Sequence, residues 1–345
     1  MIFKAGMDAM YASRTHRMLA PVFGGRGIIF TMHHVRPGQP SEFAPNRILE
    51  IEPEFLEAVV TQIRWAGLDI VSLDEAVARL ADRSDRGRFA VLTFDDGYRD
   101  NLEVAYPILK RLDAPFCVYV ATSLPDGTAD LWWLGLEAVI ADNDAVVCEM
   151  DDGPCELSCE TDADKNAAYE QIYWWLRGCD QDRQRTFIQA LCADHGIDLQ
   201  RLCTSLSMTW QEIADLARDP LVTIGAHTMG HYALARLDAE RARNEMTMGA
   251  DIIADKIGYR PDHFSYPYGD PGSAGPREFE MARRLGFRSA VTTRPGVLFG
   301  DHSDHLTSLP RVSLNGEYQA SKYLELFLSG APFALYNRFR RVNAA

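Results

Sequence analysis

The sequence predicts an α/β protein in which parallel strands are buried beneath the helices that connect them. Short apolar runs rich in β-branched and aromatic residues alternate along the chain with stretches of helical periodicity. The 345 residues are 47% apolar and 24% charged, so the chain can bury one large core or two modest ones. Six or seven strand and helix units around one core imply either a closed barrel or an open, doubly wound sheet.

The first part of this alternation extends from residue 27 to residue 125. The apolar runs GIIFTMHHV, FAVLTFD and PFCVYVAT predict strands at 27–35, 89–95 and 115–122. Apolar residues recur at helical spacing between these strands, as they do from Tyr98 to Asp113. The predicted helices cover 53–66, 73–81 and 98–113.

Residues 126–220 interrupt the alternation and predict an insertion built of helices. The segment contains several stretches of helical periodicity, such as the one from Lys165 to Arg177, and no convincing strand. The alternation then resumes. The later predicted elements are strands at 221–228, 263–269, 288–293 and 309–314, and helices at 239–257 and 276–285.

Net charge separates the insertion from the rest of the chain. The whole chain has 49 Asp and Glu against 35 Lys and Arg, a formal charge of −14. The insertion alone has 20 carboxylates against 6 basic residues, which is also −14, so the remainder is close to neutral. The sequence therefore offers no extended basic surface for a nucleic-acid backbone, and we expect no nucleic-acid partner.

These features divide the chain into four parts. We expect a basic amphipathic segment at 1–26, a barrel formed by 27–125 together with 221–315, the helical insertion at 126–220, and a C-terminal helix with a basic tail at 316–345. Both ends of the chain carry several arginines and almost no acidic residues. Such ends can contact anionic lipid, although solvated termini are the more common explanation.

Cysteine usage and hydropathy indicate the compartment. The seven cysteines contain no CxxC pair, which argues against a disulfide framework or a zinc knuckle. The first residues lack the apolar core of a secretory signal, and no run approaches the roughly 18 consecutive apolar residues of a membrane span. The sequence therefore predicts a reduced, cytoplasmic protein that at most lies peripherally at the inner face of the membrane. It defines no oligomeric state.

Two carboxylates, Asp95 and Asp96, stand at the end of the second predicted strand, and parallel α/β folds bind ligands at such ends. Gly97 follows them and allows a sharp turn that directs both side chains toward one cleft. One carboxylate can bind a cation while the other removes a proton from water as general base. The alternative is that Asp95 only caps the next helix.

His227 and His231 end the strand predicted at 221–228 in an HxxxH spacing. Imidazoles four residues apart lie on one side if a helical turn follows. With Asp96 they make the three-ligand set of a catalytic zinc site, which leaves a position open for water and substrate. The sequence therefore predicts a divalent metal, with zinc the leading candidate and cobalt or nickel also compatible. The alternative is a pair of surface histidines on a loop.

Aromatic residues stand near two further strand ends. The turn SYPYG places Tyr266, Pro267, Tyr268 and Gly269 where they can wall a groove and present a backbone N–H to an oxyanion. Trp132, in the sequence LWWLG after the third predicted strand, offers a platform for a sugar ring. Packing of the insertion against the barrel is an equally good use of this tryptophan.

Three of these segments, taken in order, resemble the first three motifs of the polysaccharide deacetylases, the NodB-homology enzymes of carbohydrate esterase family 4. They are TFDDG (93–97), HTMGH (227–231) and SYPYG (265–269). The resemblance extends from about residue 27 to about residue 315 apart from the insertion, and MHHV is similar to the family's opening motif with His33 at the histidine position. It implies a distorted (β/α)₇ barrel and the metal-dependent hydrolysis of an N-acetyl group on a carbohydrate, with release of acetate.

The resemblance also implies a role for each matching residue. Asp95 would be the general base and Asp96, His227 and His231 the metal ligands. The turn from Tyr266 to Tyr268 would line the acetate pocket and contribute a backbone N–H to the oxyanion site.

Two departures from the family pattern affect the implied mechanism. The third motif often begins with an arginine that orients the base, whereas this chain has Ser265, so that Arg294 or Arg311 would have to supply the charge. The general acid is expected in the late segment DHSDHLTSLPR, where His305 is preferred over His302.

The sequence therefore predicts a deacetylase that acts on a free, polymeric or lipid-linked N-acetylated saccharide. The two departures leave a carbohydrate-binding protein of the same fold without turnover as one alternative. A deacylase of a non-sugar amide is the other.

Overall fold

The computed structural model describes residues 2–38, 41–82, 84 and 87–343. The strands are β1 Gly27–Met32, β2 His34–Val35, β3 Glu50–Ile51, β4 Asp69–Ile70, β5 Phe89–Phe94, β6 Phe116–Val120, β7 Ala145–Met150, β8 Gly153–Ser158, β9 Val222–Ala226, β10 His263–Ser265, β11 Ser289–Pro295 and β12 Leu309–Ser313. The α-helices are α1 Ile2–Ala12, α2 Thr15–Phe23, α3 Pro53–Trp65, α4 Leu73–Ala81, α5 Tyr106–Arg111, α6 Trp132–Ala141, α7 Asp162–Gly178, α8 Gln181–Asp194, α9 Leu199–Leu206, α10 Trp210–Leu216, α11 Ala239–Ile257, α12 Pro276–Arg284, α13 Ser321–Ser329 and α14 Ala331–Tyr336. Short 3₁₀ turns cover Pro45–Leu49, Leu234–Arg236, Gly300–Asp304 and Leu306–Ser308, and a π-helical turn covers Asn101–Ala105.

Seven parallel strands form a closed barrel. Their order around the ring is β1, β12, β11, β10, β9, β6 and β5. The ring closes because β5 pairs back to β1 over six residues, from Gly27 with Phe89 to Met32 with Phe94. β4 lies outside the ring and pairs with the start of β5. The closing pair excludes the open sheet, and the predicted (β/α)₇ barrel is confirmed.

Side chains inside the barrel alternate with side chains that face the helices. In β5, Val91 belongs to the cluster that fills the barrel, whereas Leu92 and Phe94 belong to the cluster between strands and helices. Because successive side chains of a strand point to opposite faces, Thr93 and Asp95 continue the inward row that Val91 begins. A buried apolar strand thus delivers a carboxylate to the mouth of the barrel, which we call the upper end.

The lower end, where the strands begin, is covered by α4. Asp74 of this helix contacts His263 and Arg288, which stand at or just before the first residues of β10 and β11. The carboxyl ends of α2 and α13 lie at the same end, because Arg88, the residue before β5, donates hydrogen bonds to the carbonyls of Gly24 and Leu328. Among the helices that the structure describes, none combines the length and the hydropathy needed to span a bilayer.

The insertion has its own buried cluster, which includes Leu136, Ile172 and Ile188. It also contains an antiparallel hairpin of β7 and β8, so the prediction that this segment has no strand was wrong. One side of each hairpin strand is exposed, and these strands are therefore not the continuous apolar runs that mark the barrel. All seven cysteines of the chain are free thiols.

The helix predicted at 98–113 is shorter than expected. A π-helical turn at Asn101–Ala105 precedes α5, which begins at Tyr106. Pro107 has no N–H to donate to the carbonyl of Glu103, so the regular helical hydrogen bonding is interrupted there.

Candidate active site

Four strand ends bring the predicted polar residues together at the upper end of the barrel. Asp95 and Asp96 follow β5, His227 follows β9, Ser265 ends β10 and Arg311 lies within β12. All five are almost completely buried. The expectation that the chemistry lies at the carboxyl ends of the strands therefore agrees with the observed placement.

Asp95 is held by a two-pronged ion pair with Arg311. The two terminal nitrogens of the guanidinium lie 2.7 and 2.6 Å from the two carboxylate oxygens. Ser265 joins the pair, since its hydroxyl lies 2.9 Å from Arg311 and 3.3 Å from Asp95. Burial alone would raise the pKa of Asp95, but the Arg311 charge and hydrogen bonds hold it below its ordinary value. Asp95 is thus a buried, ionised carboxylate and not a helix cap.

Arg311, and not Arg294, supplies the charge that the family motif would place at Ser265. The Arg294 guanidinium points elsewhere, donating a hydrogen bond to the carbonyl of Ala274 and covering the ring of Phe279. Arg311 has no exposed surface on its side chain, and its Nε donates to the carbonyl of Thr292. The arginine therefore reaches Asp95 through the barrel interior from a later strand.

Asp96, His227 and His231 form a cluster with the composition of a metal site. Their ligand atoms all lie within 4.8 Å of one another. The Nε2 atoms of His227 and His231 are 3.4 and 3.3 Å from Oδ1 of Asp96. Burial alone would raise the pKa of Asp96, but its interactions with the two histidines hold it well below its ordinary value.

The polar atoms of this cluster are buried without ordinary partners. Within the described part of the chain, Oδ1 of Asp96 and Nε2 of His227 make no hydrogen bond. Nδ1 of His227 lies 2.7 Å from the carbonyl of Ser265 and must be the donor, because a carbonyl only accepts. In the neutral imidazole this contact places the proton on Nδ1 and leaves Nε2, which lies against Asp96, free to act as a metal ligand. The residues therefore fit a divalent cation.

The turns that carry the ligands adopt unusual backbone conformations. Asp96, Thr228, His231 and Tyr268 all have positive φ angles, of 76°, 67°, 56° and 60°. Left-handed conformations cost free energy for residues with a Cβ and are concentrated at functional sites. At Asp96, the left-handed turn redirects the carboxylate away from its neighbour Asp95.

His33 lies next to Asp95 at the mouth of the barrel. The pairing of β1 with β5 aligns Met32 with Phe94, so the next residues, His33 and Asp95, are neighbours on adjacent strands. Both continue inward-facing rows, and His33 is partly exposed. Burial lowers the pKa of His33 below its ordinary value, which the charges of Asp96 and Asp95 offset only in part. His34 points the other way and binds Asp100 at 2.7 Å.

Neither histidine of the late segment reaches this site. His302 and His305 precede β12, and the 3₁₀ turn Gly300–Asp304, which contains His302, packs against α4 at the lower end of the barrel. His302 is completely buried and its Nδ1 accepts the N–H of Phe299, while burial lowers its pKa to about 4. His305 is exposed. The expectation that His305 is the general acid does not survive, because residues before a parallel strand lie at the end opposite its carboxyl terminus.

The SYPYG turn divides its residues between the core and the site. Tyr266 is completely buried among core residues, and its hydroxyl binds the carbonyl of Thr307, so its side chain does not face the pocket. The amides of Tyr266 and Gly269 donate to the carbonyls of Val291 and Pro267, and proline has no amide hydrogen. Among the described residues no acceptor pairs with the N–H of Tyr268, which is the one amide of the turn left for a ligand.

The sequence offered two uses for Trp132, a platform for a sugar ring or packing of the insertion, and the structure shows that it is not an exposed platform. Its side chain is 4% exposed, and its indole N–H donates to the hydroxyl of Tyr268 at 2.9 Å. The Tyr268 ring in turn lies 5.0 Å from the His231 ring, and the Trp133 ring lies 5.4 Å from it on another side. The two tryptophans therefore wall the metal cluster and fix Tyr268.

Residues that the sequence did not single out hold the HTMGH turn in place. Glu245, buried on α11, accepts the amides of Met229 and Gly230. The helix can come this close because its residue 249 is glycine: an added Cβ would lie 2.6 Å from the Thr228 carbonyl carbon. A carboxylate on the apolar stripe of the predicted helix at 239–257 was the available signal for Glu245.

The insertion also contributes three side chains to the walls of the site. Arg185 donates to the carbonyl of Gly230, and Gln181 donates to and accepts from the backbone of Ala233. Arg177 lies 4.1 Å over the ring of Tyr268. Contacts between segments so distant in sequence leave no local pattern, and no signal in the sequence could have identified them.

Comparison with known proteins places the chain among deacetylases. The sequence profile of the family described as polysaccharide deacetylase matches residues 82–290, more than half of the chain. Among proteins of curated function, no sequence matches closely enough to count as a relative.

Solved structures share the fold at low sequence identity. The Streptococcus pyogenes deacetylase PplD, solved in complex with acetate, superposes with a TM-score of 0.58 at 17% identity, covering 87% of this chain and 97% of its own. IcaB from Ammonifex degensii gives a TM-score of 0.54 at 18% identity, covering 88% and 97%. A de-N-acetylase from Aggregatibacter actinomycetemcomitans gives 0.54 at 15%, covering 87% and 99%.

Proposed function

Because the chain belongs to the polysaccharide deacetylase family, a group of hydrolases acting on amide bonds, we propose that it is a divalent-metal-dependent enzyme that removes acetyl groups from an N-acetylated saccharide. One observation carries this proposal. A cluster of three metal-ligating side chains lies beside a separate carboxylate that is buried and ionised. Zinc is the preferred cation for two imidazoles and a carboxylate, with cobalt or nickel as substitutes.

The ligand cluster of Asp96, His227 and His231 would hold the cation. Such a cation supplies a Lewis acid that polarises the carbonyl of the acetamide group. The Tyr268 amide is available to the oxygen that becomes negative as water adds to the acyl carbon. The rings of Trp133 and Tyr268 lie against His231 and exclude water from that side of the ligand cluster.

Asp95 is the proposed general base. Its carboxylate is kept ionised by Arg311, and both oxygens are fixed in position by the ion pair. It takes a proton from the attacking water while the water oxygen bonds to the acyl carbon. The carbon–nitrogen bond then breaks, acetate leaves, and the amine nitrogen of the sugar takes up a proton.

His33 is the proposed donor of that last proton, which its neutral ring would receive from the neighbouring Asp95 after water has attacked. It stands beside Asp95 across the β1–β5 pair and is partly exposed at the mouth of the barrel, where the sequence predicts contact with the substrate. The alternative of a binding protein without turnover was motivated by a missing arginine and an unidentified general acid. It is the weaker proposal, because Arg311 would orient the base and His33 would act as the acid.

Removal of the metal tests the proposed function directly. We expect chelation to reduce acetate release from N-acetylated mono- and oligosaccharides by at least about 100-fold, because Lewis-acid assistance contributes several kcal/mol. Zinc, cobalt or nickel added back should restore the rate, and His227→Ala should neither bind metal nor recover. Full acetate release from metal-free protein would contradict the proposal.

Replacement of His33 tests the proposed acid. We expect His33→Asn to lower kcat by about 100- to 10,000-fold, the usual contribution of proton transfer by a positioned side chain, while metal content stays at wild-type level. His305→Asn is the matched control and should retain full kcat, since His305 is exposed at the lower end. If the two variants behaved in the opposite way, the assignment would be wrong.

A further inference from the structure

The two ends of the chain form one exposed apolar surface at the lower end of the barrel. Helices α2 and α14 pack together, and the ring of Phe339 lies 5.7 Å from that of Phe23. Five large apolar side chains here are each more than half exposed. They are Met18, Val22, Leu335, Tyr336 and Phe339, and we call this surface the terminal face. Exposed apolar clusters of this kind mark interaction surfaces.

Arginines surround these apolar side chains. Arg14 is exposed and directly precedes α2, the helix that carries Met18 and Val22. Three more follow α14, and all are exposed: Arg338, Arg340 and Arg341. Residues 9–26 and 326–345 contain no Asp or Glu, so the basic charge of the terminal face is uncompensated within its own segments. From neighbouring elements, Glu325 pairs with Arg17 and His16.

The acidic insertion and the basic terminal face lie on different parts of the molecule. The insertion, with 20 carboxylates and 6 basic residues, contacts the ligand turns at the upper end through Arg177 and Arg185. The terminal face lies at the opposite end, next to the start of β1. In front of an anionic surface, this asymmetry attracts the terminal face and repels the insertion.

We propose that the terminal face binds the surface of an anionic lipid bilayer, with the active site facing away from the lipid. Apolar side chains surrounded by arginines match the composition of surfaces that lie at the boundary of headgroups and acyl chains. A second copy of the chain is a poorer occupant, because a two-fold contact would bring the same arginines against each other. The bound enzyme would thus present its pocket to saccharide on the aqueous side.

Vesicle binding by the full-length protein tests this proposal. We expect vesicles with about 30% phosphatidylserine to bind the protein at least about tenfold more tightly than pure phosphatidylcholine vesicles, and raising the salt to about 0.5 M to abolish this preference. The double variant Arg338→Glu/Arg340→Glu should lose at least about tenfold in binding. Met18→Ser/Phe339→Ser should weaken binding even at low salt, because it removes the apolar contact.

A matched control has the same change in net charge at distant exposed positions. Arg201→Glu/Arg243→Glu should bind vesicles more tightly than Arg338→Glu/Arg340→Glu by a clear margin, and all variants should keep wild-type acetate release, which verifies their fold. Equal binding to neutral and anionic vesicles, or no binding, would overturn the proposal. The proposal would also be overturned if light scattering without lipid showed a dimer in solution that the terminal-face variants dissociate.

Discussion

Asp95→Asn should reduce acetate release by about 100- to 10,000-fold without loss of bound metal, because the amide cannot accept the proton that the carboxylate takes from water. Asp95 is not one of the three ligands in the cluster, so metal content should remain at the wild-type level. Initial rates and metal analysis on the same preparation measure the two quantities. Substantial turnover by the variant would remove Asp95 from the role of base.

The same variant should also be less stable, and this effect must be separated from catalysis. The neutral amide would leave the completely buried Arg311 guanidinium without its counter-charge, and breaking one partner of a buried ion pair costs about 3–5 kcal/mol. The double variant Asp95→Asn/Arg311→Met removes both charges and should recover much of the unfolding free energy in denaturant. It should not recover activity, because the base is still missing. A double variant that regained turnover would show that the single variant had failed through misfolding.

The general position of the site could be predicted from the sequence. Asp95, Asp96 and His227 each follow an apolar strand, and parallel strands of one barrel end at the same edge. The sequence could not, however, distinguish a barrel from an open sheet, because only the pairing of β1 with β5 closes the ring. That same pairing puts His33 beside Asp95, a proximity that no local pattern contains.

Strand geometry alone could have selected Arg311 from the two arginines that the sequence left open, and it could have corrected the expectation for His305. Leu309 points into the barrel, so Arg311, two residues later, does as well. The same alternation does not place Arg294, because the pairing of β11 with β12 is irregular between Val291 and Pro295. His305 precedes its strand and must lie at the lower end. Strand geometry does not predict the walls of the site. Trp132, Arg177 and Arg185 come from the insertion, and no periodicity in the sequence predicts how the insertion packs.

Arg311→Met should change the pH dependence of the enzyme as well as its rate. Burial favours the neutral form of Asp95, and Arg311 is the main group that opposes this effect. Without the guanidinium, the pKa of Asp95 should rise from below its ordinary value to above it. The acidic limb of the kcat/KM profile, which reports the base in the free enzyme, should therefore move to higher pH.

The shift distinguishes electrostatic positioning from a purely structural role for Arg311. Simple loss of folded protein would lower kcat/KM by the same factor at every pH, whereas a raised pKa costs most at low pH and is partly recovered as the pH increases. Stability should follow the same sign: the wild-type ion pair, with its lowered Asp95 pKa, stabilises the fold above the ordinary carboxyl pKa and loses that contribution as the pH falls through the folded value. Arg311→Lys retains a charge but not the two-pronged geometry, and should lie between Met and wild type in both measurements.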